Sequence, residues 1–133
     1  MLEHTPIQSS GFSNIGPEDQ RTGFCLRVRQ PNYRGLRLSL VEGIRVVVDG
    51  HEFPAASNRY RMAGRTYSLQ ELDAETQVRW PVGTAMEVLV DKPGGLAAGV
   101  HLVEVEVLLR HPYFPPQFRP TPVHDRRHIT IIR

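Results

Sequence analysis

Two sets of residues in this chain have the types and spacings that chemistry uses. Glu104 and Glu106 alternate with Val103, Val105 and Val107. On a strand, both carboxylates project from the outward face, about 7 Å apart. That separation would suit acid/base cleavage of a glycosidic bond; the plainer reading is two acids on a solvated strand face. His124 and His128 are four residues apart. On a strand they share a face but lie about 13 Å from one another. Metal–nitrogen bonds of about 2.0 Å cannot span that gap, and Arg126 and Arg127 between them oppose a cation. The other histidines, His4, His51, His101 and His111, form no His-x-His pair. No serine sits in a Gly-x-Ser-x-Gly elbow, and no glycine loop has a nucleotide-binding form. The spacings therefore point to no complete catalytic set, and to surface or interface histidines rather than metal ligands.

The aromatic residues are candidates for contact rather than catalysis. Tyr33, Tyr113, Phe114 and Phe118 lie in or beside proline-rich segments. Rings held in such loops either stack on a ligand and fill a partner's pocket, or cap the end of a core. Trp80, next to Pro81, reads as core.

The scaffold that must position these residues reads as strands. Phe24, Leu26 and Val28 alternate with Cys25, Arg27 and Arg29, the two-residue period of a half-buried strand. Leu36, Leu38 and Leu40 alternate in the same way. Ile44, Val46 and Val48 follow and end at Asp49-Gly50, a type I′ hairpin signal, with a return strand over His51–Phe53. Residues 54–64 read as a polar loop. Ser68 with Glu71 makes a capping box for one short helix. Val78–Trp80 and Ala85–Val90 read as strands. The glycine turn Pro93-Gly94-Gly95, with Gly99, feeds a strand over Val103–Leu109. The segment 111–122 reads as a loop with five prolines, and Ile129 and Ile131 mark a last strand. The prediction is an all-β, single-domain antiparallel β-sandwich of jelly-roll-like type over residues 1–133. It has about eight to ten strands and minimal helix. Residues 1–10 read as an arm, flexible or docking.

Composition narrows the setting. A chain of 133 residues is long enough to fold around its own core without disulfide or metal. The single cysteine, Cys25, reads as a buried thiol in a reducing compartment. The N-terminus lacks the charged and apolar regions of a secretory signal, and no apolar run approaches the roughly 20 residues of a membrane span. A cytoplasmic protein is expected. Net charge is only +2, and the 15 arginines are interleaved with acids, unlike a nucleic-acid-binding stripe. They form either a solvated surface or an arginine-rich protein interface.

One ordered set of motifs resembles a known family. It runs Asn32-Tyr33-Arg34-Gly35-Leu36, Val48-Asp49-Gly50, Tyr67-Ser68-Leu69 with Glu71-Leu72, and Val78-Arg79-Trp80. It continues with Gly94-Gly95-Leu96, Gly99 and His101, then Arg110 with Pro112-Tyr113-Phe114. From about Phe12 to Ile132 the chain resembles the small β subunit of bacterial C-glycoside deglycosidases. The resemblance implies an accessory subunit in a hetero-oligomer with a TIM-barrel α subunit. That partner would hold a divalent metal, such as Mn, and cleave the carbon–carbon bond between a 3-oxo sugar and an aromatic aglycone such as a flavonoid. No cofactor is expected in this chain. Tyr33, Arg34, His111, Tyr113 and Phe114 are the implied contacts with the partner or the rim of its active site. Arg37 and the Arg126-Arg127 pair match no feature of that family. Two other readings of the residues are a stand-alone sandwich that binds carbohydrate or protein, and a cupin-like metalloenzyme.

Overall fold

The computed structural model describes residues 6–30, 36–109 and 121–131. Five strands form one antiparallel sheet in the order β1 (Ser13–Ile15), β2 (Gly23–Arg29), β9 (Ala85–Asp91), β6 (Arg59–Met62) and β7 (Arg65–Tyr67). Four more form a second sheet: β11 (Thr121–Ile131), β10 (Gly99–Leu109), β4 (Val41–Val48) and β5 (His51–Phe53). The two-residue strands β3 (Leu36–Arg37) and β8 (Arg79–Trp80) pair separately. The all-β prediction holds, with eleven strands among the described residues, several of them very short. None of the described helices is long and apolar enough to cross a membrane.

Period-two alternation builds the sandwich. Phe24, Leu26 and Val28 of β2 face inward with Met86, Val88 and Val90 of β9. They meet Ile44, Val46 and Val48 of β4 and Val103, Val105 and Val107 of β10 in one continuous core. Such burial is the main term holding two sheets face to face. Trp80 is fully buried, as its sequence context predicts.

Local rules act where they were expected. Val48 pairs directly with His51, so Asp49-Gly50 is the whole turn, with φ of 49° and 86°. Ser68 accepts from the Glu71 N–H at 3.1 Å, while the Glu71 carboxylate accepts from the Ser68 N–H at 2.9 Å. This capping box starts α1 (Leu69–Ala74).

Three segments differ from the sequence reading. Within 54–64, Arg59–Met62 forms β6, because Tyr60 and Met62 supply an inward face while Arg59 and Arg61 face out. Leu38–Leu40 leaves the strand path and makes a 3-10 turn. There the Leu38 and Ser39 N–H groups find the Val78 and Glu75 carbonyls. The last strand begins ten residues before Ile131, at Thr121, with Pro122 opposite Leu108. Proline is tolerated there because β11 is an edge strand.

The pairing registers define two ends of the sandwich. At the turn end lie the Asp49-Gly50 hairpin and the 92–98 connection between β9 and β10. At the loop end lie Arg29 beside Ala85, and Leu109 beside Val41 and Thr121. One side of the sandwich is stitched by Ile7, which bridges to Val28 on β2 and is held by side chains of β11.

Candidate functional site

The residues singled out for partner or rim contact, Tyr33, Arg34, His111, Tyr113 and Phe114, lie outside the described residues. The framework before and after those segments is described, and it belongs to the loop end. β2 stops at Arg29 and β10 at Leu109, on the same end of the sandwich. Gln30 is fixed there: its N–H donates to Thr84 O at 3.0 Å and its Nε2 to Trp80 O at 3.3 Å. Trp80 Nε1–H donates to the same Thr84 carbonyl at 2.8 Å. The indole thus pins the Pro81–Thr84 turn to the start of the 31–35 segment. Beside this end, Val41, Glu42, Ala56, Leu69, Gln70 and Asp73 line a groove of ≈ 470 Å³. Its wall is the first turn of α1, set by the Ser68 cap.

Glu104 and Glu106 do project from the outward face of the four-stranded sheet. Glu104 faces Arg126 across the β10–β11 pair, at 3.9 Å, and Glu106 faces His124 at 3.4 Å. On the other side Arg45, opposite Glu106, binds Glu52 at 2.7 Å. That bond holds the Glu52 carboxyl below its ordinary range and raises Arg45. Each of these three acids has a basic partner, so the face is a ladder of acids set beside bases. The two carboxylates of Glu104 and Glu106 stand on an outer sheet face, in contact with bases, and with Arg45, His124 and Arg126 they line an open depression of ≈ 470 Å³.

The described histidines do not converge. His124 and His128 lie on β11 opposite Glu106 and Leu102. No group of three or more His, Cys, Asp or Glu able to hold a metal ion occurs among the described residues. Cys25 is buried, with its Sγ 3.4 Å from Ser13 Oγ.

One histidine is engaged in a way its spacing did not reveal. His101 opens β10, and its Nδ1 lies 2.6 Å from Asp49 Oδ2 while its Nε2 lies 2.7 Å from the Ala97 carbonyl. Both neighbours are acceptors, so both ring nitrogens must carry protons for both bonds to form. Burial pulls the imidazolium pKa down; the Ala97 carbonyl and the Asp49 carboxylate together outweigh it, and the net shift is upward. The hydrogen bond from His101, with that from the Leu102 N–H, lowers Asp49. Phe12 packs edge-on against the ring. This clasp ties the 92–98 connection to the hairpin, at the turn end. It is structural in what it touches.

Comparison with known proteins agrees with the motif set. Residues 2–113 match the family model described as C-glycoside deglycosidase beta subunit. The C-glycoside deglycosidase beta subunit of Eubacterium cellulosolvens is 32% identical over 116 residues, covering 86% of this chain and 79% of that protein. One from Arthrobacter globiformis is 33% identical over 101 residues, 76% of each chain. The 3'-dehydrocarminate deglycosidase beta subunit of a Microbacterium species is 35% identical over 100 residues, 74% of each. An all-β sandwich that matches along most of its length, from the arm through the loop end, belongs to the C-glycoside deglycosidase beta subunit family.

Proposed function

We infer that this chain is the accessory subunit of a heteromeric C-glycoside deglycosidase, docking on a TIM-barrel α subunit that carries the catalytic metal. One observation carries this reading beyond family membership. The acids that had the right spacing for sugar chemistry, Glu104 and Glu106, are matched to Arg126 and His124 on an outer face. Their pairing supports a role for this face as part of the scaffold. The described residues offer no ligand group that fits a divalent metal, so no step is assigned to a metal in this chain. The substrate class is a 3-oxo-C-glycoside with an aromatic aglycone; the Microbacterium relative is named for a 3'-dehydro substrate. Cleavage would follow from the 3-oxo group, which acidifies the neighbouring C–H so that a base on the partner starts expulsion of the aglycone.

The contribution of this chain is to present the loop end. Trp80, Gln30 and Thr84 make a rigid rim from which 31–35 departs, and Leu109 with Thr121 makes one for 110–120. Among the described aromatic residues Phe12, Phe24, Tyr60, Tyr67 and Trp80 are buried, and the half-buried Phe53 packs edge-on against Phe24, so none of them forms a sugar-stacking platform.

The test is co-expression with a sugar-isomerase-like barrel subunit, followed by size-exclusion chromatography, metal analysis and assay on a 3-oxo-C-glycoside. Co-elution, with metal that tracks the barrel and cleavage that requires both chains, is the expected result. Elution as a metal-free monomer with no effect on the barrel's activity would overturn it.

A further inference from the structure

The folded chain sorts its scattered arginines, and the two outer faces differ in charge. On the five-stranded sheet the outward positions form a grid. One row reads Ser13, Cys25, Leu89, Arg59 across β1, β2, β9 and β6; the next reads Arg27, Glu87, Arg61, Thr66 across β2, β9, β6 and β7. Arg29 stands opposite Ala85 in a third row. Arg59 pairs with Asp91 at 2.9 Å and Arg61 with Glu87 at 2.8 Å. Glu87 lies between Arg61 and Arg27, and both draw its carboxyl below the ordinary range, chiefly through the Arg61 hydrogen bond. Four guanidinium groups thus share two carboxylates on this face, whereas Glu52, Glu104 and Glu106 on the four-stranded face each have a basic partner.

The chemistry of the patch is that of a protein interface. Cys25 and Leu89 face outward yet are buried, forming a small apolar floor among the arginine arms. Arg27 is laid flat: its Cδ and Cγ occupy the space where Gly11, at φ 78°, would carry a Cβ. An apolar floor with an excess of arginine forks fits a protein surface bearing Asp or Glu around an apolar contact. Phosphate backbones fit less well, because Glu87 and Asp91 stand within the patch and repel them.

We propose that the outer face of the five-stranded sheet, through Arg27, Arg29, Arg59 and Arg61, is the surface that docks an acidic patch of the catalytic α subunit. This rests on the hetero-oligomeric reading above.

The experiment measures affinity of the full chain for the α subunit by titration. The proteins are the wild type, the double charge reversal Arg27→Glu/Arg29→Glu, and Arg126→Glu on the opposite face. Thermal melts check that each variant folds. Both reversed positions are exposed. The expected result is weakening of roughly tenfold or more for R27E/R29E, with affinity for R126E within about twofold, and a wild-type affinity that falls with salt. A wild type that does not bind the α subunit overturns the hetero-oligomeric reading and this docking with it. A wild type that binds, with R27E/R29E unchanged, overturns the docking face alone. Retention of the wild type on immobilised duplex DNA at physiological salt, lost in R27E/R29E, would assign the face to nucleic acid and overturn it also.

Discussion

His101 and Asp49, 52 residues apart in sequence, meet with Nδ1 and Oδ2 at 2.6 Å. Asp49 sits at φ 49° as the first residue of the hairpin turn, a conformation that aspartate tolerates better than most residues. Its other oxygen accepts from the Leu102 N–H at 2.9 Å. One carboxylate therefore closes a turn, caps a strand and holds an imidazolium. The shifts set a pH window. His101 is raised, so its contribution is complete below the ordinary histidine value of 6.5 and fades as pH rises through the folded pKa. Asp49 is lowered, so its contribution is present above 3.8 and is lost as pH falls through its folded value. His128 also bears on Asp49 and favours its charged form. Wild type melts higher near about pH 6 than near about pH 9, and His101→Gln removes most of that difference. The Asp49 side chain is 51% exposed, so solvent screening holds the loss to about 1 kcal/mol, or roughly 3–5 °C. Equal slopes in both proteins by calorimetry would refute the protonated clasp.

Tyr60 and Asn58 replace a strand that is too short. β5 pairs only with Val46–Val48, so the Ile44 N–H and C=O on that edge have no strand partner. Tyr60 OH accepts from the Ile44 N–H at 3.1 Å and donates to Ala55 O at 2.6 Å, while Asn58 Nδ2 donates to Ile44 O at 2.9 Å. Burial pushes the Tyr60 phenol up to about 12. Tyr60→Phe leaves the buried Ile44 N–H unmet, while Ala55 O keeps the Asn58 N–H at 3.3 Å, at a cost of about 1–3 kcal/mol. Urea unfolding monitored by Trp80 fluorescence reads it as a lower midpoint at unchanged slope.

The same residues explain what the sequence did and did not reveal. Asp49-Gly50 and Ser68 with Glu71 were legible because their rules act over two to four residues. β6 was not, since only Tyr60 and Met62 mark its inward face, and Arg59 and Arg61 made a polar stretch. The outward projection of Glu104 and Glu106 was legible; their pairing to Arg126 and His124 depends on β11 register, which no local signal sets. The His101 clasp and the arginine grid are likewise products of register across strands far apart in the chain.

Gly43 marks the bulge that shapes the loop end. Leu108 faces Gly43 while Leu109 faces Val41, so Glu42 is the extra residue. Gly43 has φ 117°, and a Cβ there would lie 2.7 Å from the Ala55 Cβ and 3.1 Å from Leu69 Cδ1. Gly43→Ala is therefore strained in its backbone and crowded against the wall of the groove. A loss of about 1–3 kcal/mol is expected in chemical denaturation. If the bulge sets the loop end, the substitution also lowers affinity for the α subunit beyond what reduced stability explains. Unchanged affinity in the folded variant would confine Gly43 to stability.

Ile7 is where the two ends of the chain are joined. Its N–H donates to Asp125 Oδ2 at 2.9 Å, and its carbonyl accepts from Arg127 Nη1 at 2.9 Å. Meanwhile its neighbours pair with β2: the Gln8 N–H donates to Arg27 O and the Arg29 N–H to Pro6 O. A single peptide segment thus links the edge of one sheet to the edge strand of the other, with its side chain fully buried. β11 lies beyond the residues 2–113 that match the family model, so this clamp draws the matched N-terminal segment to a strand outside the match. Ile7→Ala leaves a core cavity and costs about 2–4 kcal/mol. Arg127→Ala removes one charge-assisted bond to a carbonyl, about 1–2 kcal/mol. Asp125→Ala and Arg127→Ala act on the same residue's backbone, so once either bond is lost the other holds a segment already loosened. The double variant is expected to lose less than the sum of the two single losses, by about 0.5 kcal/mol or more in denaturant unfolding. Strict additivity would mean that Asp125 and Arg127 act independently and that Ile7 is held by its side chain alone.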